Sequence, residues 1–317
     1  MDIRSFFKII PEIPICNSKP INYNNQVINP DSINVFILSN RRNNDKNNKI
    51  RESIIGAIIN NKIPLDFYKQ LPEWDLIKNG INNYIITLNN NNPITTIKCT
   101  HKGGRNCHYD FELLINETNK FNIEFKFNAE HITESPQWFS PGKPSQYLSN
   151  SYEDFYYDNY LKPISIKYNM SLPNKDEYLN TIHSPNPSCV IDYQTKYYNG
   201  CKSSSKYSGN ENDVKFYEDC KLTSKKSISN FIENTVLDIA KLNKRLQNTQ
   251  KDKVYMLYKN NKFYHETMNN DDYEIVSYIK KPDKSKYIAK AKNGKIMNIL
   301  LRWKNGNGIA FPAFQIS

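Results

Sequence analysis

The chain has 317 residues, and its 43 Lys and Arg outnumber 32 Asp and Glu for a formal charge of +11. That length holds one large domain or two ordinary ones, and the basic balance favours a polyanionic partner, nucleic acid ahead of a membrane surface. No apolar run approaches the roughly 18 residues of a membrane span. No secretory signal is visible at the N-terminus, and six cysteines without C-x-x-C spacing argue against zinc ribbons and a disulfide framework, so a reducing, intracellular setting is expected.

The first stretch, MDIRSFFKII, places Ile3, Phe6 and Phe7 at the spacing of one 3₁₀ turn that presents an aliphatic and two aromatics together. Residues 11–32 are rich in Pro and Asn and read as a tether, so residues 1–32 are expected to be a tail. Residues 33–38 are expected to be a short strand or the start of the folded body. Residues 49–60, KIRESIIGAIIN, carry Ile50, Ile54, Ile55, Ile58 and Ile59 at helical spacing, with Glu52 near the start and Pro64 as the stop. A second short helix is expected at 66–71, then strands at 84–88 and 93–99. Gly103-Gly104-Arg105 forms a loop whose backbone can approach a phosphate closely.

Two alternating runs follow, DFELLIN from Asp110 and FNIEFKFN from Phe121, joined by a polar turn at 117–120. This pattern predicts a hairpin. Its second strand puts Ile123, Phe125 and Phe127 on one face and Glu124 and Lys126 on the other. Residues 151–161, SYEDFYYDNYL, predict a helix whose tyrosines pack, and 172–226 read as loops or an insertion. Residues 228–246 read as one amphipathic helix with Ile232, Val236, Ile239 and Leu242 in register. Strand patterns at 254–258, 262–265, 273–279, 287–291, 296–303 and 308–316 complete the chain. The expected organisation is a tail (1–32), a catalytic core (33–170), and an insertion, long helix and β-rich part packed on that core (171–317).

Two acids and a lysine converging at a hairpin edge suit metal-dependent phosphodiester hydrolysis. Mg²⁺ takes oxygen ligands, here the carboxylates of Asp110 and Glu124 and the main-chain carbonyl of Phe125. Lys126 would orient the attacking water and offset negative charge. The competing reading of Glu124 and Lys126 is a solvated strand face carrying an ion pair. His101, His108 and His131 lie near but match no zinc spacing.

Asp110, thirteen residues, then Glu124-Phe125-Lys126 resembles the signature of the PD-(D/E)xK nuclease superfamily, with Tyr109 where a proline is usual. The resemblance covers about residues 49–161. It implies an α/β, restriction-endonuclease-like core, a mixed central sheet flanked by helices, here followed by a β-rich C-terminal part. It implies a catalytic set of Asp110, Glu124 and Lys126, with Glu52 as the helix acid and Gln137, or else Gln146, as the motif glutamine. The cofactor implied is Mg²⁺, with Mn²⁺ substituting. The substrate implied is DNA, cut endonucleolytically, and a homodimer is one arrangement the family uses. The N-terminal segment resembles the PCNA-interacting peptide, as at the start of the large subunit of replication factor C, though the usual leading glutamine would fall before Met1. That resemblance implies a sliding clamp as partner, held by Ile3, Phe6 and Phe7, at sites of replication or repair in a nucleus or viral replication compartment. The rival readings are a non-catalytic DNA-binding or clamp-associated scaffold and an RNA-directed enzyme.

Overall fold

A computed structural model describes residues 19–37, 44–103, 107–135, 138–181, 211–305 and 310–317 of a mixed α/β chain. Ile3, Phe6, Phe7, Gly104, Arg105 and Gln137 therefore lie outside the described residues. The chain forms two compact units, Met1–Ile132 with Val254–Glu266, and Thr133–Lys253 with Thr267–Ser317. Each unit is assembled from two separate stretches of chain, and the split does not fall at residue 33 or 170.

In the first unit, described strands and the start of a 3₁₀ helix already occur within the expected tail, from residue 21 onward. Strands β1 (Ile21–Tyr23) and β2 (Gln26–Ile28) pair antiparallel around Asn24 and Asn25, both at positive φ (48° and 59°). Asparagine tolerates that region, so an Asn-Asn pair reads as a hairpin turn as well as a tether. Residues Pro30–Phe36 form a 3₁₀ helix, not a strand, because Pro30 fixes its first turn and Asn29 and Ser32 cap it reciprocally.

Helix α1 (Asn44–Ile59) buries Ile54, Ile55, Ile58 and Ile59, as the spacing predicted. Short α2 (Leu65–Gln70) leads into α3 (Glu73–Leu88), whose last turn takes up the strand expected at 84–88. Trp74, Ile77, Ile81, Tyr84, Ile85 and Leu88 are buried on one stripe, and this long 3.6-residue period overrides the local β-branched run.

The sheet of this unit runs β3 (Ile97–His101), β4 (Phe111–Ile115), β5 (Asn119–Phe127), β7 (Lys253–Lys259), β8 (Lys262–Thr267). Registers His101↔Phe111 and Phe111↔Ile123 are antiparallel. The two residues Asn260 and Asn261 between β7 and β8 can join only antiparallel neighbours, so the sheet's mixed character sits at the β5–β7 junction. There Phe127 stacks on Tyr258 and the Ala129 N–H donates to the Tyr258 carbonyl. Strands β7 and β8 fall almost wholly in the first unit, although the sequence grouped them with the C-terminal part.

Helix α1 seats on β3 through one glycine. A Cβ on Gly56 would overlap His101 Nε2, and that imidazole is wedged edge-on between the rings of Tyr23 and Phe111. One turn on, Asn60 grips Cys99 through both backbone groups and donates to Tyr23 Oη at 2.7 Å. Gly56→Val is expected to lower stability by about 1–3 kcal/mol, since the imidazole has no room to yield. Urea denaturation of the two proteins checks this, and unchanged stability would show that α1 can shift freely.

In the second unit, β6 (Phe139–Gly142), β12 (Ala310–Ile316), β11 (Ile296–Asn305), β10 (Lys286–Ala291) and β9 (Ile275–Lys281) form an antiparallel sheet in that order. Phe314 and Ile316 are fully buried in it. The aromatic run forms helix α4 (Tyr152–Tyr156), a π turn to Leu161, and α5 (Lys162–Lys167). Tyr152 is buried against Phe231 and hydrogen-bonds Ser227, so the tyrosines do pack.

Residues 172–226, expected as loops or an insertion, include α6 (Lys175–Thr181) and most of α7 (Glu211–Glu233). The single helix expected at 228–246 is two: α7 ends at Glu233 and α8 spans Ile239–Gln250. The break is specified locally. Leu237 forms a β-bridge with Leu148, Asp238 caps α8 by accepting from the Lys241 N–H at 3.0 Å, and Val236 is left exposed.

Candidate active site

Strand β5 alternates as its sequence does. Ile123 and Phe125 are buried in the core, and Phe127 packs against it. Glu124 and Lys126, two residues apart, leave the opposite face together. Lys126 Nζ sits 2.6 Å from Glu124 Oε1, and the two side chains are only 19% and 14% exposed. A solvated strand face looks different, and the same hairpin supplies the comparison: Glu112 pairs with Lys120 (2.7 Å) and Lys102 (3.6 Å), with Lys120 half exposed. The Glu124–Lys126 pair is withdrawn from water.

Asp110 closes the group. The β4–β5 ladder ends at Phe111↔Ile123, with the Asp110 N–H donating to the Ile123 carbonyl. One step beyond, Asp110 Oδ2 accepts the Phe125 N–H at 2.9 Å. The carboxylate is therefore bound to the backbone between Glu124 and Lys126. Because N–H and C=O of one strand residue leave on the same side, the Phe125 carbonyl faces the Asp110 side as well.

Glu52, midway along α1, is coupled to the same group. Burial first, then the charges of Asp110 and Glu124, push its carboxyl from 4.5 up to about 8, against the smaller opposing pull of Lys126 and Lys49. For Lys126, burial disfavours its charge, but Glu124, Asp110 and Glu52 outweigh that and raise its pKa. It is a cation at neutral pH and cannot serve as a general base. Three carboxyl groups, that of Glu52 holding its proton at neutral pH, thus surround one buried ammonium.

Tyr255 on β7, fully buried, was not singled out from the sequence. Its phenol is held well above its ordinary pKa by burial and by Glu124, Glu266 and Asp110. It is a neutral hydroxyl beside the acids. The strand pattern at 254–258 signals its burial, but nothing in the sequence signals its neighbours.

Among the described residues, no three His, Cys, Asp or Glu side chains already stand together as a metal cage. His101 is committed to packing, and burial lowers its pKa. His131 is exposed and His108 half-buried. Gly103 is exposed, and among the described residues no atom lies within 4 Å of where a Cβ would stand. Gln146 is exposed in a 3₁₀ turn of the second unit.

The Glu52 shift fixes a pH dependence for the protein in EDTA. Between about 4.5 and about 8 the folded chain holds a proton that the unfolded chain has released. Stability therefore falls as pH rises through that window and is insensitive to this group outside it. Glu52→Gln is expected to flatten the profile and to melt above the wild type at pH 8. Thermal melts from pH 4 to 9 check this, and parallel profiles would contradict it.

No family model, curated protein or solved structure matches this chain. What bears on function is therefore the group of Glu52, Asp110, Glu124, Phe125 and Lys126 itself.

Proposed function

We propose that this protein is a metal-dependent deoxyribonuclease with a restriction-endonuclease-like first unit. The observation that carries the reading is the Asp110 carboxylate bonded to the Phe125 N–H, between Glu124 and a buried, charged Lys126. That is the order of parts in the PD-(D/E)xK signature, with Glu52 supplied from a preceding helix. A β3–β4–β5 meander joined to the distant β7 agrees with such a core.

The residues fit a divalent cation. Their donors are hard oxygens, and Glu52 titrating near 8 marks a buried surplus of negative charge that a cation relieves. Asp110, Glu124 and the Phe125 carbonyl would hold it. Bound Mg²⁺ or Mn²⁺ would polarise the scissile phosphate and lower the pKa of the attacking water. Lys126, a fixed ammonium, offsets negative charge on the phosphoryl oxygens, and Tyr255 keeps a neutral hydroxyl beside Glu124. The clamp-binding role of Ile3, Phe6 and Phe7 and the loop glycines with Arg105 remain part of this proposal.

The scaffold reading has its own observation. Lys126 already closes on Glu124, and a group locked this way is a stable ion pair needing no metal. Plasmid, single-stranded DNA and RNA incubated with Mg²⁺, Mn²⁺ or EDTA separate the readings. DNA cut only with metal supports the nuclease. DNA bound but uncut in every metal supports the scaffold, and cutting confined to RNA moves the substrate.

A further inference from the structure

We infer that the second unit carries its own surface for the DNA backbone, built on the β9–β10 hairpin and the end of α7. The sequence there is KKPDKSK, residues 280–286. Lys281 and Lys286 stand directly opposite each other in the register of β9 and β10. Like charges directly opposite on a sheet repel, and among the described residues the hydrogen-bond partner of Lys286 Nζ is an amide, Asn298 Oδ1 at 2.6 Å. Lys284 is exposed in the turn between them.

Helix α7 adds to the same place. Ser229 Oγ donates to the Pro282 carbonyl at 2.8 Å, and Lys226 lies three residues earlier on that helix face, exposed. Lys280 donates to the Glu233 carbonyl, which ties the helix end to the strand. Among the described residues, no carboxylate pairs with Lys226, Lys281, Lys284 or Lys286, whereas Lys292 and Lys295 on the next turn are each paired with acids. Asp283 and Glu233 are the acids in the patch, fewer than its lysines.

An unpaired ammonium cluster with one like-charged cross-strand pair fits a closely spaced run of anions. Duplex DNA presents that along its backbone, and point charges on flexible stems suit phosphate contact without sequence reading. The surface stands on charge and register, while the choice of DNA rests on the function proposed above.

The test is duplex binding by fluorescence anisotropy in EDTA, where no cutting is needed, across a salt series. Lys281→Gln/Lys284→Gln/Lys286→Gln is expected to weaken binding at least about tenfold at low salt and to reduce the log–log salt slope by about 2–3. The same three lysines changed to arginine should bind like wild type. Lys226→Gln/Lys284→Gln, at exposed positions only, repeats the test with no change in a strand and should remove about two units of slope. Wild-type affinity and slope in the glutamine variants would overturn the inference. So would lysine-dependent binding of poly-glutamate with unchanged DNA binding, which would make the partner an acidic protein. Failure of the wild-type protein to cut DNA in Mg²⁺ or Mn²⁺, with these binding results intact, would sink the nuclease reading alone.

Discussion

Glu124→Ala and Asp110→Ala are each expected to reduce DNA cutting by about 10³-fold or more, since each removes a carboxylate that would hold the metal. Duplex binding in EDTA should stay near wild type, or tighten slightly, because a negative charge is lost. The two positions differ in structural consequence. Glu124 bonds to the Lys126 side chain, so its loss breaks a side-chain ion pair. Asp110 accepts the Phe125 N–H, so alanine also strips a backbone donor of its partner. Asp110→Asn keeps a side-chain oxygen for that N–H and removes only the charge. Single-turnover cutting of a labelled duplex by all three variants reads this out. Inactive but normally stable Asp110→Asn places the loss in charge, and normal rates in both alanine variants would remove the site from the chemistry.

Lys126→Ala is expected to be the most destabilising change in the group. It leaves Glu52, Asp110 and Glu124 without their buried cation. Breaking a buried pair by removing one partner typically costs about 3–5 kcal/mol, most of it for the charge left behind. The carboxylates can escape part of that cost by taking up protons. The loss should therefore be large at pH 8 and small at pH 5, which separates it from lost packing of the lysine stem. Mg²⁺ should restore part of the stability at pH 8, because a cation replaces the ammonium, while cutting stays at least about 10²-fold down. Thermal melts of wild type and variant at both pH values, with and without Mg²⁺, check this. A loss independent of pH and metal would mean that Lys126 only fills space.

The hairpin was legible because a period of two is a strong local signal, and the segregation of Ile123 and Phe125 from Glu124 and Lys126 follows from it alone. The burial of the ion pair was not legible. The sequence left it open between a solvated face and a site, and the 14–19% exposure decides against the solvated face. Asp110 was readable as the start of a strand, but its bond to the Phe125 N–H depends on where the ladder ends, which only the paired register sets. The charges that couple Glu52 to the hairpin could be surmised from the motif but not from the helix, since α1 reaches the sheet through Gly56 and His101. Tyr255 arrives from a strand far along the chain, and no local pattern encodes that pairing. The misread elements share a cause: at 84–88 and 228–246 a short window was matched to one period, while longer packing at Trp74–Leu88 and the Asp238 cap set the real boundaries.

The most direct measurement is Mn²⁺ binding to the full chain at pH 8, by isothermal titration with parallel detection of released protons. Wild type is expected to show a saturable site that is lost in Asp110→Asn, with proton release that disappears in Glu52→Gln. No saturable binding, or binding that survives Asp110→Asn unchanged, would contradict the metal site and leave Glu124 and Lys126 as a buried ion pair.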